Sequence, residues 1–202
     1  YVVFSSFASN FIDNDLNNKR DVFLYDRAAR SINRIGTTET GAEFANGSYV
    51  PYMSSNGRFV TFRDAYGGSS DLFVYDVSTD LVRMVKSRVG LPNNDRDVSP
   101  ISNDGRFVAY ASDDNSVNIL DLQTQVTTRI DVASDGTPAD RPSYFPSVSE
   151  DGRYVVFTSV ATNLVPDDSE SSDYDVFLYD RLTSGLSRIS DYPGGVFISS
   201  LF

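Results

Sequence analysis

Two stretches of the chain crowd carboxylates closely enough to act on a cation. The first reads Asp13-Asn14-Asp15-Leu16-Asn17-Asn18-Lys19-Arg20-Asp21, the second Asp167-Asp168-Ser169-Glu170-Ser171-Ser172-Asp173-Tyr174-Asp175. Oxygen ligands on alternate residues of a tight loop converge on one hard ion, and Asp15, Asn17 and Asp21 follow an Asp-x-Asn-x-x-x-Asp spacing like the start of a calcium loop, without the Gly and terminal Glu of an EF-hand. Asp13 flanks that set. Asp168, Glu170, Asp173 and Asp175 offer similar oxygens at shifted spacing. Without an ion, each close like-charge pair costs on the order of 1 kcal/mol in water. The chemistry expected of both loops is structural calcium binding; the plainer alternative is a solvated acidic loop.

Other chemistries are excluded or weakened by composition. None of the 202 residues is His or Cys. This removes Ser-His-Asp and Cys-His nucleophile systems, His-held metals, thiolate chemistry and disulfides. Formal net charge is −11, which argues against nucleic acid, whose phosphates call for Lys and Arg. No apolar run approaches the length of a membrane span, so no membrane insertion is expected. Carboxylate pairs at glycosidase spacing are easy to find by chance among 28 acidic residues and carry little weight. Tyr66, Tyr144, Tyr174, Arg96 and Arg141 lie near loops and suit either a ligand surface or ordinary packing.

The elements that must position these loops repeat. Ser-x-(Asn/Asp)-Gly-Arg-aromatic-Val occurs as Ser54–Val60, Ser102–Val108 and Ser149–Val155. Asn-Gly or Asp-Gly between apolar runs predicts a type I′ hairpin turn. A second motif reads Asp21-Val22-Phe23-Leu24-Tyr25-Asp26, Asp71-Leu72-Phe73-Val74-Tyr75-Asp76, the weaker Val117-Asn118-Ile119-Leu120-Asp121, and Asp175-Val176-Phe177-Leu178-Tyr179-Asp180. Continuous apolar residues between aspartates predict a strand packed on both faces, with the aspartates forming turns. Fourth strands follow, carrying Arg34, Arg83, Arg129 and Arg188, whose stems are expected to cover apolar surface while the charge stays in water. In the last copy Gly185 is expected to supply the left-handed turn residue.

Labelled A to D within a repeat, the strands run BCD, then ABCD three times. Repeats of about 45–50 residues, each a four-stranded antiparallel meander, mark an all-β fold: a β-propeller whose blades cover one another's apolar faces. The chain is read as one propeller domain, 1–202. Its repeats lie at about 1–36, 48–87, 97–131 and 144–190, and the tail 191–202 is a candidate closing strand. Four blades closing alone, which would bring the two acidic loops side by side, and part of a larger ring are both open; the start within strand B favours the second.

The strings SEDGRYVVFTSVATNLVPDD and DVFLYDRLTSGLSRIS resemble the TolB-like, WD-repeat-like β-propeller repeat of exported bacterial proteins. The resemblance implies a periplasmic or extracellular location and a non-catalytic scaffold for protein contacts. It leaves as alternatives a carbohydrate- or small-ligand-binding propeller and a propeller domain detached from a larger hydrolase or lyase. The family's lyases rely on His and metal, so the absence of His tells against that activity. A protein partner is expected, and open blade edges would permit self-association.

Overall fold

A computed structural model of the chain describes residues 1–64, 70–87, 89, 98–166 and 174–190. Among the described residues there is no helix, and fourteen strands form four antiparallel sheets. The first sheet is β1 (Val2–Ser6), β2 (Asp21–Asp26) and β3 (Ser31–Arg34). The second is β4 (Ser48–Met53), β5 (Phe59–Asp64), β6 (Leu72–Asp76) and β7 (Leu81–Lys86). The third is β8 (Phe107–Ala111), β9 (Val117–Asp121) and β10 (Val126–Arg129). The fourth is β11 (Ser143–Val148), β12 (Tyr154–Ser159), β13 (Asp175–Asp180) and β14 (Gly185–Arg188). Each is a meander in chain order, as the repeat requires. The third sheet departs from the expected four strands: its A segment is reduced to a single bridge, Ile101 with Val108.

Three buried clusters join the sheets in sequence. Val22 and Leu24 of the first meet Phe62 and Phe73 of the second. Leu72 and Val74 of the second meet Val108 and Leu120 of the third. Phe107 and Ile119 of the third meet Phe157 and Phe177 of the fourth. β5 is therefore buried along its whole length, as two-sided packing demands, whereas β12 alternates buried and half-buried positions because one face has no described neighbour. Among the described residues no buried cluster joins the fourth sheet to the first. The tail 191–202 lies outside the described residues.

The repeated turn does more than reverse the chain. Ser102 Oγ donates to Asp104 Oδ1 (2.6 Å) and accepts from Phe107 N (2.9 Å), while Asp104 Oδ1 also accepts from Arg106 N (2.9 Å). The copies at Ser54 and Ser149 repeat these bonds. Only the glycines, Gly57, Gly105 and Gly152, take positive φ there. The turn is thus not the expected type I′, which needs positive φ at both central residues; side-chain bonds to the Asn or Asp hold it instead. In the β13–β14 turn, Ser184 and not Gly185 takes the left-handed conformation (φ 56°).

The motif arginine then clamps strand B to strand C. Arg58, Arg106 and Arg153 each reach the aspartate ending the neighbouring strand with two N–H groups: Asp76 (3.3 and 3.0 Å), Asp121 (2.9 and 2.7 Å) and Asp180 (3.1 and 2.8 Å). Each guanidinium also lies 4.7 Å from the centroid of the aromatic ring that follows it. The same aspartates accept the backbone N–H two residues on, from Ser78, Gln123 and Leu182. They are turn-formers, as expected, and ion-pair partners as well.

Two predictions follow from this geometry. A Cβ on Gly105 would lie 2.4 Å from the Phe59 ring, whereas one on Gly136, also at positive φ, meets open space. Gly136→Ala should cost about 1 kcal/mol and Gly105→Ala about 2–4 kcal/mol, read from urea midpoints. The clamps set acid sensitivity. Arginine hydrogen bonds hold Asp76 and Asp180 down at about 2, and Asp121 is lowered for the same reason. A lowered folded value adds stability above the unfolded value of about 3.9 and loses it as pH falls towards 2. Urea midpoints should therefore drop between about pH 4 and pH 2, and less steeply in Arg106→Gln.

Candidate functional site

In a meander the B–C and D–A connections emerge at the same end of the sheet. The β1–β2 loop and the β3–β4 loop therefore meet, and Asp15, Asp21 and Glu43 come together there, one carboxylate oxygen of each lying within 4.8 Å of the others. Each arrives by a different route. Asp21 opens β2, opposite Ser6 of β1. Asp15 is carried by the β1–β2 loop, and Glu43 by the β3–β4 loop, which is closed by a bridge between Thr37 and Glu43.

Backbone bonds sew the two loops together. Leu16 N donates to both Glu43 oxygens (3.2 and 3.3 Å), Asn17 Nδ2 to Phe44 O (2.8 Å), and Ser48 N to Arg20 O (2.7 Å). Gly47 is needed at this junction: it has φ +87°, and a Cβ would lie 2.4 Å from Arg20 O.

The electrostatics are unbalanced. Asp21 is fully buried, and all four oxygens of Asp15 and Asp21 are buried without a hydrogen-bond donor. Arg34 is the cation that acts on both. Its Nη1 pairs with Glu43 and lies 3.5 Å from Asp21 Oδ2, and its Nη2 donates to Asn14 O (3.0 Å). Burial pushes the Asp21 carboxyl up to about 6 against the lowering pull of Arg34, with Asp15 adding repulsion. Burial, then Glu43, raises Asp15 as well.

The fourth sheet holds the same position in a satisfied form. Asp175 opens β13 opposite Ser159, as Asp21 opens β2 opposite Ser6. Ser190 Oγ donates to Asp175 Oδ1 (2.6 Å) and accepts from Val176 N (3.2 Å), and Arg188 Nη1 lies 3.7 Å from Asp175 Oδ2. The first sheet has Gly36 in place of Ser190. There Ser48, from the next blade, accepts the bond from Val22 N (3.0 Å), and its Oγ would lie 1.9 Å from a Cβ on Gly36. The hydroxyl that answers the backbone N–H has changed blade, and Asp21 has lost its donor.

Of the residues expected in the first loop, Asp15 and Asp21 are brought together. Asp13 is exposed and outside the cluster. Asn17 lies beside it: its Oδ1 accepts from Lys19 N (2.6 Å), its amide donates to Phe44 O (2.8 Å), and its side chain pulls the Asp21 carboxyl down against burial. Glu43 was not expected; the signal that finds it is the meander itself, which sends both connections to one end. In the second loop Asp168, Glu170 and Asp173 lie outside the described residues, and Asp175 is the described member, paired as above. Arg34, Arg129 and Arg188 do not carry free wet charges as expected: each ion-pairs with an aspartate, Asp21, Asp131 and Asp175. The Tyr144 ring lies tilted against those of Tyr174 (6.4 Å) and Phe145 (5.9 Å); Tyr66 and Arg96 lie outside the described residues.

With four such sheets packed face against face in chain order, the architecture compares directly with solved structures. TolB from Acinetobacter baumannii superposes with a TM-score of 0.52 at 17% identity, over 84% of this chain and 37% of that one. A protein assigned as TolB from Agrobacterium tumefaciens gives 0.56 at 18% identity, over 91% of this chain and 58% of that one. The fold is that of a TolB-like β-propeller. The chain spans 37% and 58% of the lengths of these two structures. No family model and no curated protein matches the sequence.

The imbalance at the site predicts unequal responses to losing arginine. Arg34→Met leaves three clustered carboxylates, one of them fully buried, without their guanidinium and should cost about 3–5 kcal/mol. Arg188→Met leaves Asp175 its serine donor and should cost about 1–2 kcal/mol. Urea denaturation of the two variants beside the parent chain measures the difference.

Proposed function

We propose that this TolB-like propeller is a non-catalytic, exported scaffold that binds another protein through its β1–β2 loop. The observation carrying this reading is the loop's surface. Within ten residues it presents Phe7, Phe11 and Leu16, with exposures of 66%, 40% and 79%. A soluble protein rarely clusters large apolar side chains at one exposed place unless something docks there. The loop is also held in shape: Phe11 packs edge-on against Phe4 (5.8 Å) and Phe23 (5.4 Å), and Arg20 lies 4.9 Å from the Phe7 centroid. A preformed apolar surface loses little entropy on binding.

Further support is chemical. With no His or Cys in the chain, a general base near neutral pH would have to be a carboxylate or an amine. The aspartates that end the C strands, Asp76, Asp121 and Asp180, are spent on arginine clamps. Export to the periplasm or beyond rests on the resemblance of the repeats to exported propellers.

The test is a cross-linking capture from a periplasmic extract, using the parent chain and a Phe7→Ser/Leu16→Asp variant of equal melting temperature. Loss in the variant of a defined set of cross-linked proteins supports the reading. Recovery of the same set by both rules out this loop as the contact surface.

A further inference from the structure

We propose that Asp15, Asp21 and Glu43 bind a calcium ion that fastens the β1–β2 loop to the β3–β4 loop. Proximity of acids is only the beginning of the argument, since exposed acidic groups cluster without any ligand. The deciding observation is Asp21, fully buried with neither oxygen accepting a hydrogen bond, its carboxylate facing those of Asp15 and Glu43. Both Asp15 oxygens are likewise buried and without a donor. Buried carboxylates of this kind are paired, protonated or bound to metal. Arg34 supplies the pairing it can, touching Glu43 and lying 3.5 Å from Asp21. Three carboxylates against one guanidinium leave two negative charges, which one divalent cation balances.

The internal repeat provides a control within the molecule. Asp175 occupies the register position of Asp21 and has its own arginine, but there Ser190 donates to it at 2.6 Å. At Asp21 that serine is replaced by glycine, and two further carboxylates converge instead. A position needing only a structural ion pair resembles the fourth sheet; the first sheet lacks the serine donor and gathers two further carboxylates.

The ligand set selects the ion. All the side-chain donors are oxygen, and the chain has no His or Cys to favour zinc. The carboxylates come from two loops and a strand end, an irregular arrangement suited to calcium, which takes six to eight oxygens at variable angles and accepts bidentate carboxylates. Magnesium requires a near-octahedral shell. Three carboxylates supply at most six oxygens, leaving water or main-chain carbonyls to complete the shell. The inference does not depend on the partner-binding reading, since it concerns only how two loops are held.

The experiment uses the full chain treated with chelator and dialysed. Calorimetric titration and thermal unfolding are run with calcium chloride and with magnesium chloride. The variants are Asp15→Asn, Asp21→Asn and Glu43→Gln, with Asp168→Asn/Glu170→Gln as control for the other acidic loop. Millimolar calcium should raise the melting temperature of the parent and of the control by several degrees. Affinity should fall at least tenfold in Asp15→Asn and Glu43→Gln, whose positions on loops make them safe for folding if Asp21→Asn does not fold. Absence of heat and of a thermal shift in the parent overturns the proposal. So does an unchanged response in Asp15→Asn and Glu43→Gln, which places the ion elsewhere. An equal response to magnesium overturns the choice of calcium.

Discussion

The distance at which one sheet sits on the next governs everything else in this chain. The Phe59 ring lies against the α-carbon of Gly105, and that of Phe107 against Gly152. An aromatic from one blade's strand B thus abuts the turn of the following blade. A four-stranded meander has two apolar faces and cannot bury both by itself; stacking on its neighbours resolves this, and the glycine sets how closely they stack. Phe62 and Phe73, parallel at 5.5 Å, and Phe157 and Phe177 at 5.6 Å are the same solution seen within single sheets. Once the sheets are spaced, the connections at each end have fixed separations, and side chains from different repeats can be brought together.

The two ends of the sheets are organised by different physics. At the A–B and C–D end, Arg58, Arg106 and Arg153 each have their aspartate, and the clamps repeat with little variation from the second sheet to the fourth. At the B–C and D–A end the loops differ in length and composition, and polar groups are matched case by case. Asp140 accepts from both the backbone and the hydroxyl of Thr162, and its own backbone N–H donates to Asn163 Oδ1, whereas no hydrogen bond of good geometry reaches the oxygens of Asp15 and Asp21. One end keeps the repeat together; the other is where copies have diverged, and where both the carboxylate cluster and the exposed apolar side chains of the β1–β2 loop lie.

The fold was legible in the sequence because its signals recur. The Ser-x-(Asn/Asp)-Gly-Arg motif and the apolar strand between aspartates each identified a local structure several times over, and the strand order followed. Turn details were less legible: Asn56-Gly57 and its counterparts look like type I′ pairs, but a serine hydroxyl two residues earlier captures the Asn or Asp side chain and changes the turn. Two of the three site residues could be read. Asp15 and Asp21 stand out by spacing within one loop. Glu43 does not, because it lies 22 residues beyond Asp21 in a connection with no counterpart motif, and only three-dimensional closure of the meander brings it in. Asn17 fits the spacing yet is diverted, its short side chain bonding to its own loop as asparagines in turns do.

Ser48 ties the first two blades together. In the fourth sheet the hydroxyl that caps strand C belongs to the same copy, so that unit carries its own parts. In the first, the hydroxyl comes from the copy that follows, as does the hydrogen bond joining Ser48 N to Arg20 O. Those two copies are thus held together by parts of both: removing either would leave the other with an unanswered backbone N–H or carbonyl.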